Sequence, residues 1–145
     1  MATREETARQ AWLRVTALFI FGENTDRFPR IATELRITPG QMHALLDLRD
    51  GEPRPVKALA DTMTCDASYA TTLIDGLERS GYVERRVSPT DRRVKLVYVT
   101  EAGRKLQAQV IERLSVPPTA FDRLTAAELR TLVDLLTKVT DDFPF

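Results

Sequence analysis

The chain has little of the residues that most catalytic and metal sites require. Its 145 residues include one cysteine, Cys65, and one histidine, His43. A single cysteine cannot close an internal disulfide, and a single histidine leaves no set of His and Cys ligands for zinc. The sequence also lacks a glycine-rich phosphate loop and a nucleophile elbow. We therefore expect no enzymatic activity, no cofactor and no metal.

Long hydrophobic runs are missing as well. The longest apolar runs are too short to span a membrane, and the opening MATREETARQ has no apolar core of the signal-peptide kind. A hydrophobic content of 43% is nevertheless too high for a disordered chain. The length suffices for one domain with a real core. These features predict a cytoplasmic globular protein without a membrane partner.

Net charge is the third absence, because 21 basic residues face 21 acidic ones. The total therefore does not point to a nucleic acid. The distribution does, because residues 79–105 carry eight basic and three acidic side chains, a local charge of +5. A concentrated basic stripe is what a phosphate-binding surface needs. A charged face that contacts only solvent is the alternative.

Apolar spacing and capping signals predict the helices. Residues 8–19 have helical periodicity, and Thr38 with Gln41 forms a capping box that starts a helix at about residue 39. The turn DGEP ends this helix near Asp50. Two short amphipathic helices follow, one over residues 56–63 and one that carries Ala70, Leu73, Ile74 and Leu77 and ends at Gly81. Their brief connection, TCDA, makes a helix-turn-helix pattern.

A predicted hairpin follows this helix pair. YVERRV at 82–87 and VKLVYV at 94–99 are rich in β-branched and aromatic residues and are joined by turn material. Thr100 then starts a helix that VPP at 116–118 breaks, and Thr125 with Glu128 starts the last one. The predicted fold is mainly α with a small β-hairpin wing, a winged helix-turn-helix flanked by terminal helices.

The domain organisation follows from this order. We expect a single chain over 1–145, with the winged DNA-binding part at 38–100 and dimerisation helices at 5–30 and 101–145. Their apolar residues could instead form a core within one subunit. A dimer is preferred, because a reader of two-fold symmetric DNA must itself be symmetric. The residues concerned are Trp12, Phe19, Leu106, Val110, Leu132 and Leu136.

The second helix of the pair supplies the candidate base-reading residues. Its apolar residues face inward, so its other faces carry short hydrogen-bonding side chains and one aromatic, which suit base edges, thymine methyls and phosphates. Asp66 is the expected N-cap. The candidates on this helix are Ser68, Tyr69, Thr71, Thr72 and Arg79.

The wing supplies the candidate cations. Arg92 and Arg93 stand at the hairpin tip, where they can reach a minor groove. Arg85, Arg86 and Lys95 lie on the strands and are candidates for phosphate contacts. Asp91 is expected to shape the turn or to pair with a neighbouring arginine.

DRRVKLVYVTEAG, preceded by LIDGLERSGYVERR, resembles the wing signature of the MarR family of regulators, written D-x-R followed by L-T-x-x-G. Asp91, Arg93, Thr100 and Gly103 occupy the fixed positions, with Val99 in place of leucine. The resemblance implies a homodimeric winged-helix DNA reader. We expect it to bind a pseudo-palindromic operator and to act as a repressor, with activation as the alternative. Arg93 would be the minor-groove residue, and residues 68–72 the major-groove segment.

Two positions depart from the family pattern. Thr72 and Gly76 replace residues that are commonly basic, which implies weaker phosphate anchoring or a different target sequence. The family also implies a pocket for a small effector, apolar or phenolic. His43 and Trp12 are the candidates to line it, against a structural or exposed role for the lone histidine.

Two alternatives stay open. Cys65 precedes the recognition helix, where a helix N-terminus can lower a thiol pKa, so that a redox role competes with simple packing. The acidic remainder of the chain and the shortage of cations on the recognition helix also suit a winged-helix adaptor that binds a protein. Such an adaptor would show no salt-dependent DNA binding.

Overall fold

The computed structural model describes residues 1–140 and contains, in that range, seven α-helices and one two-stranded antiparallel sheet. The chain forms two compact units, residues 1–115 and 116–145. In the first unit the elements are α1 (Arg4–Ile20), α2 (Arg27–Glu34), α3 (Pro39–Asp47), α4 (Val56–Thr62), α5 (Ala67–Arg79), β1 (Val83–Val87), β2 (Lys95–Val99) and α6 (Glu101–Leu114). The second contains α7 (Ala126–Thr140). The predicted fold class is confirmed.

Local sequence signals set the helix starts. Thr38 Oγ1 accepts the N–H of Gln41, and the Gln41 side chain accepts the N–H of Thr38, so the capping box of α3 is complete. Thr125 and Glu128 exchange the same two bonds at the start of α7. The predicted end of α3 near Asp50 is three residues late, because the helix ends at Asp47.

The helix α2 has no counterpart among the helices predicted from sequence. In α2, Ile31 and Ala32 are buried, and Phe28 and Leu35 are partly buried against the same core. Their spacing of i, i+3, i+4 and i+7 is the same helical signal that identified the other helices. Pro29 lies in the first turn, where a missing N–H costs nothing.

The core of the first unit lies beneath the helix-turn-helix. Met42, Leu45, Leu59, Ile74 and Leu77 are fully buried there. From the sheet and α6, Val83, Val97, Leu106 and Val110 join the same cluster. The inward face predicted for α5 is therefore confirmed, and Leu106 and Val110 belong to the subunit core.

The long N-terminal helix behaves differently, because none of its 17 residues is buried. Trp12 is 68% exposed, and Phe19 and Phe21 are exposed to a similar degree. In the second unit, α7 likewise has no buried residue, and Val133, Leu135, Leu136 and Val139 are exposed. No helix among residues 1–140 is long and apolar enough to cross a membrane.

Candidate nucleic-acid interface

The turn between α4 and α5 fixes the recognition helix on the core. Thr64 in this turn has a positive φ of 52°, and its N–H donates to Asp61 O at 3.2 Å.

 The φ of Thr64 lies in the left-handed region that glycine or asparagine more commonly occupies. The N–H of Cys65 closes the turn by donating to Ala60 O at 3.0 Å. Asp66 occupies the N-cap position of α5 as predicted, but its side chain makes no capping hydrogen bond, so the predicted cap is wrong in that respect.

The predicted base-reading residues share the exposed side of α5. Ser68, Tyr69, Thr71 and Thr72 are all exposed, while the next turn of the helix is anchored by buried Leu73 and Ile74. Thr71 Oγ1 donates to Ala67 O at 2.8 Å and Thr72 Oγ1 donates to Ser68 O at 3.0 Å. Because both hydroxyl hydrogens are used within the helix, these threonines present acceptor lone pairs and methyl groups outward.

Packing against α3 explains two features of α5. A side chain at Gly40 would lie 2.7 Å from the hydroxyl of Tyr69 and 2.9 Å from Leu73, so Gly40 lets Tyr69 lie close to the start of α3. Gly76 is buried, and a Cβ there would overlap the Gln41 amide. Gly76 therefore lies where α5 closely approaches the Gln41 side chain of α3.

The two strands of the wing pair antiparallel, with Val83 opposite Val99 and Val87 opposite Lys95. A third piece of chain joins them, because the N–H of Val97 donates to Arg54 O at 2.8 Å and the N–H of Arg54 donates back to Val97 O. The Arg54 guanidinium also donates to Asp47 O at 2.8 Å. Arg54 thus ties the wing to the end of α3, a contact that no local sequence signal indicated.

The start of α6 explains the signature threonine and glycine. Thr100 Oγ1 donates to Gly81 O at 2.6 Å and accepts the N–H of Gly103 at 3.1 Å. A Cβ at Gly103 would overlap the carbonyl of Tyr82, so only glycine fits this approach. The two residues join the base of the wing to α6.

The wing tip is a structured turn. Ser88 is buried, and its N–H donates to Val94 O at 2.8 Å. Asp91 Oδ1 accepts the N–H of Arg93 at 3.0 Å and lies 3.3 Å from the Arg93 Nε. The predicted role of Asp91 in shaping the turn and pairing with an arginine is confirmed.

The cations of the basic segment differ in how far their charge is already neutralised. Arg93 is 89% exposed and its pair with Asp91 is weak, since exposed ion pairs are largely screened. Within residues 1–140, no ion pair involves Arg79, Arg92, Lys95 or Lys105. Arg86 pairs with Glu84 and lies over the Tyr98 ring, 5.0 Å from its centroid.

Arg85 is the exception. Its guanidinium donates to Asp75 at 2.7 Å and to Glu78 at 2.5 Å, and only 18% of its side chain is exposed. Burial by itself would lower the pKa of Arg85, but the hydrogen bonds to Asp75 and Glu78 raise it above its ordinary value. Of the predicted phosphate contacts, Arg85 is the one whose charge is already matched by two carboxylates.

The predicted effector residues are placed apart from the core. His43 is exposed on α3 and Trp12 is exposed on α1. A pocket around either side chain would need a second surface against it. Cys65 is half-buried and lines an open cavity of about 540 Å³ together with Asp61, Asp66 and Tyr69.

Comparison with known proteins identifies the architecture. A family model described as the MarR family matches residues 37–95. A helix-turn-helix transcriptional regulator of Bacillus cereus is 30% identical over 105 residues, which cover 71% of this chain and 69% of that protein. The chain belongs to the MarR family of winged helix-turn-helix transcriptional regulators.

Other relatives agree with this assignment. The regulator YwhA of Bacillus subtilis is 33% identical over 85 residues, which cover 58% of this chain and 61% of its own length. Across the first three curated relatives, the chain spans 61% to 66% of their length. The expectation of a non-enzymatic protein agrees with membership of a family of transcription regulators.

Solved structures agree over nearly the whole chain. A MarR family protein from Bacillus stearothermophilus is 26% identical with a TM-score of 0.77, covering 97% of this chain and 98% of that one. The apo form of MarR from E. coli is 28% identical with a TM-score of 0.71, covering 90% and 95%. The MarR-like fold therefore includes the terminal helices.

Proposed function

We propose that this MarR family protein is a homodimeric repressor that binds a pseudo-palindromic DNA operator. The two copies of α5 would enter successive major grooves, and the wings would reach the flanking minor grooves. The observation that carries the proposal is the exposed, cation-bearing wing beside a recognition helix whose outward face is made of short polar side chains. For a regulator that binds DNA, we propose a cytoplasmic location.

The two parts of the interface have separate tasks. Thr71 and Thr72 offer acceptors and methyl groups, which can read exocyclic amines and thymine methyls in the major groove. Arg92 and Arg93 supply positive charge at the tip, where a narrow minor groove concentrates negative potential. Because α5 carries a single cation, Arg79 in its last turn, the wing must supply much of the attraction to phosphate.

The terminal helices support the homodimer. Exposed aromatic residues on α1 and exposed aliphatic residues on α7 are the apolar side chains that a dimer interface would cover. A symmetric dimer also matches the symmetry of a palindrome. We propose repression as the mode of regulation, because a dimer that covers an operator can block other proteins from the same DNA.

An effector would act through the spacing of the two recognition helices. A rigid pair matched to half-sites one helical turn apart tolerates little error in spacing, so a ligand that favours another spacing would release the DNA. A small apolar or phenolic molecule bound near His43 or Trp12 is the form of control we propose. Oxidation of Cys65 is the alternative signal to be tested with it.

The experiment is DNA binding across a salt series. Arg93→Ala should weaken binding to the operator about tenfold and reduce the salt slope by about two per dimer, because each subunit loses one positive charge placed at the minor groove. Arg123→Ala, an exposed arginine outside the basic segment, is the matched control and should leave both quantities unchanged. Equal affinity of Arg93→Ala and the parent chain at every salt concentration would contradict the wing assignment.

The adaptor alternative has a distinct outcome. A winged helix that binds a protein would show no salt-dependent association with any DNA duplex. The carboxylates Asp75 and Glu78 on α5 are the observation that favours it, because they lie beside the face proposed for DNA.

A further inference from the structure

The carboxylates Asp75 and Glu78 present a problem for any DNA-facing role of α5. They stand three residues apart on one side of the helix and are 52% and 39% exposed, so they would repel phosphate if left alone. Both are instead bound by the same guanidinium, that of Arg85. Asp75, Glu78 and Arg85 together therefore carry a net charge of only −1.

Arg85 is placed for this contact by the strand. Side chains alternate along β1, so Arg85 shares a face with Val83, which is buried in the core. Val87, the next residue on that face, is 52% exposed. Arg85 therefore lies on this face of β1 between the buried Val83 and the exposed Val87.

The contact also includes the main chain. The N–H of Arg85 donates to Glu78 Oε1 at 3.0 Å, while Glu78 Oε2 accepts from the Arg85 guanidinium. Glu78 therefore holds both the backbone and the side chain of one strand residue, and Asp75 holds the other end of the guanidinium at 2.7 Å. Three hydrogen bonds join the wing to the helix that it accompanies.

We propose that Arg85 is a positioning residue, which fixes the wing relative to the recognition helix through Asp75 and Glu78 and makes no phosphate contact of its own. The inference rests on the proposed DNA-binding function and refines it. Arg92 and Arg93 reach DNA in a defined direction because Arg85 holds the base of the hairpin. This assigns to Arg85 a role different from the phosphate contact expected from sequence.

The two roles predict opposite effects when the carboxylates are neutralised. Asp75→Asn combined with Glu78→Gln makes the surface more positive, so a phosphate-binding Arg85, released from its partners, would strengthen operator binding. A positioning Arg85 loses its anchors, and we expect binding to weaken about fivefold. Asp61→Asn removes an exposed carboxylate of α4 that forms no ion pair within residues 1–140, and as the control it should not weaken binding.

Arg85→Gln completes a cycle with that double variant. In the positioning role, Arg85→Gln weakens binding about as much as the double variant does, and combining all three changes adds little. In the phosphate role, Arg85→Gln costs the same factor in either background. Additive losses, or stronger binding by the double variant, would overturn the proposal.

A measurement without DNA separates this inference from the proposed function. Amide hydrogen exchange of the free protein should rise in residues 83–87 and 95–99 in both Arg85→Gln and the double variant, with α5 still protected. Arg92→Gln, which changes a tip residue, should leave exchange unchanged. Unaltered wing exchange in Arg85→Gln would overturn the positioning role, even if the parent chain binds DNA as proposed.

Discussion

The winged part of the chain and its terminal helices use apolar residues in different ways. In α3, four of nine residues are buried, whereas none of the 17 residues of α1 and none of the 15 of α7 is buried. Large side chains are nevertheless present in both regions, Leu45 in the first and Trp12 in the second. The difference indicates that α3 stabilises a subunit, while α1 and α7 are available to bind another surface.

The largest expected effect is in the core. Leu45 is fully buried, and Leu45→Ala should lower the free energy of unfolding by about 3 kcal/mol, because it removes apolar contacts and leaves a cavity. Urea unfolding followed by circular dichroism measures the change. Leu13→Ala, at a residue 60% exposed on α1, is the comparison and should change the stability of a subunit far less.

An effect on association is expected next. Trp12→Ala should weaken the dimer by about 2 kcal/mol, since exposed tryptophans at an interface contribute strongly to binding. Sedimentation at a series of micromolar concentrations measures it, and Gln10→Ala, on the other side of α1, is the control. A parent chain that is monomeric throughout this range would contradict the proposed role of the terminal helices.

The smallest expected effect is at the start of α7. Hydrogen bonds from the backbone and hydroxyl of Thr125 lower the pKa of Glu128 below its ordinary value of 4.5. The folded state therefore favours the ionised form, and this contribution is present above pH 4.5 and lost as the pH falls through the lowered pKa. Helicity should decrease less over this acidic range in Thr125→Ala, and identical pH profiles would contradict the cap's contribution.

The local parts of the fold could be predicted from sequence. The start of α3 is marked by the capping box of Thr38 and Gln41, and the start of α7 by that of Thr125 and Glu128. The hairpin is marked by two segments rich in β-branched residues on either side of a turn. The helix α2 also carries a local signal, because Phe28, Ile31 and Ala32 have the helical spacing of a buried face. Capping by Asp66 was wrong because the N-cap residue can take the required backbone without its side chain making the bond.

The contacts across the fold could not be predicted in the same way. Arg85 meets Asp75 ten residues away, and Arg54 pairs with Val97 across 43 positions, so neither contact has a local pattern. The distribution of charge along the sequence therefore does not distinguish Arg85 from Arg92. The structure distinguishes them, because one guanidinium is held by two carboxylates and the other is exposed.

We propose that the winged parts of two subunits read DNA as a symmetric pair. Selection of bound duplexes from random DNA by the full chain tests this proposal. We predict enrichment of a pseudo-palindrome whose half-sites are centred about 10 base pairs, one helical turn, apart. Recovery of sequences without a shared motif, or of a single half-site without a symmetric partner, would contradict the claim.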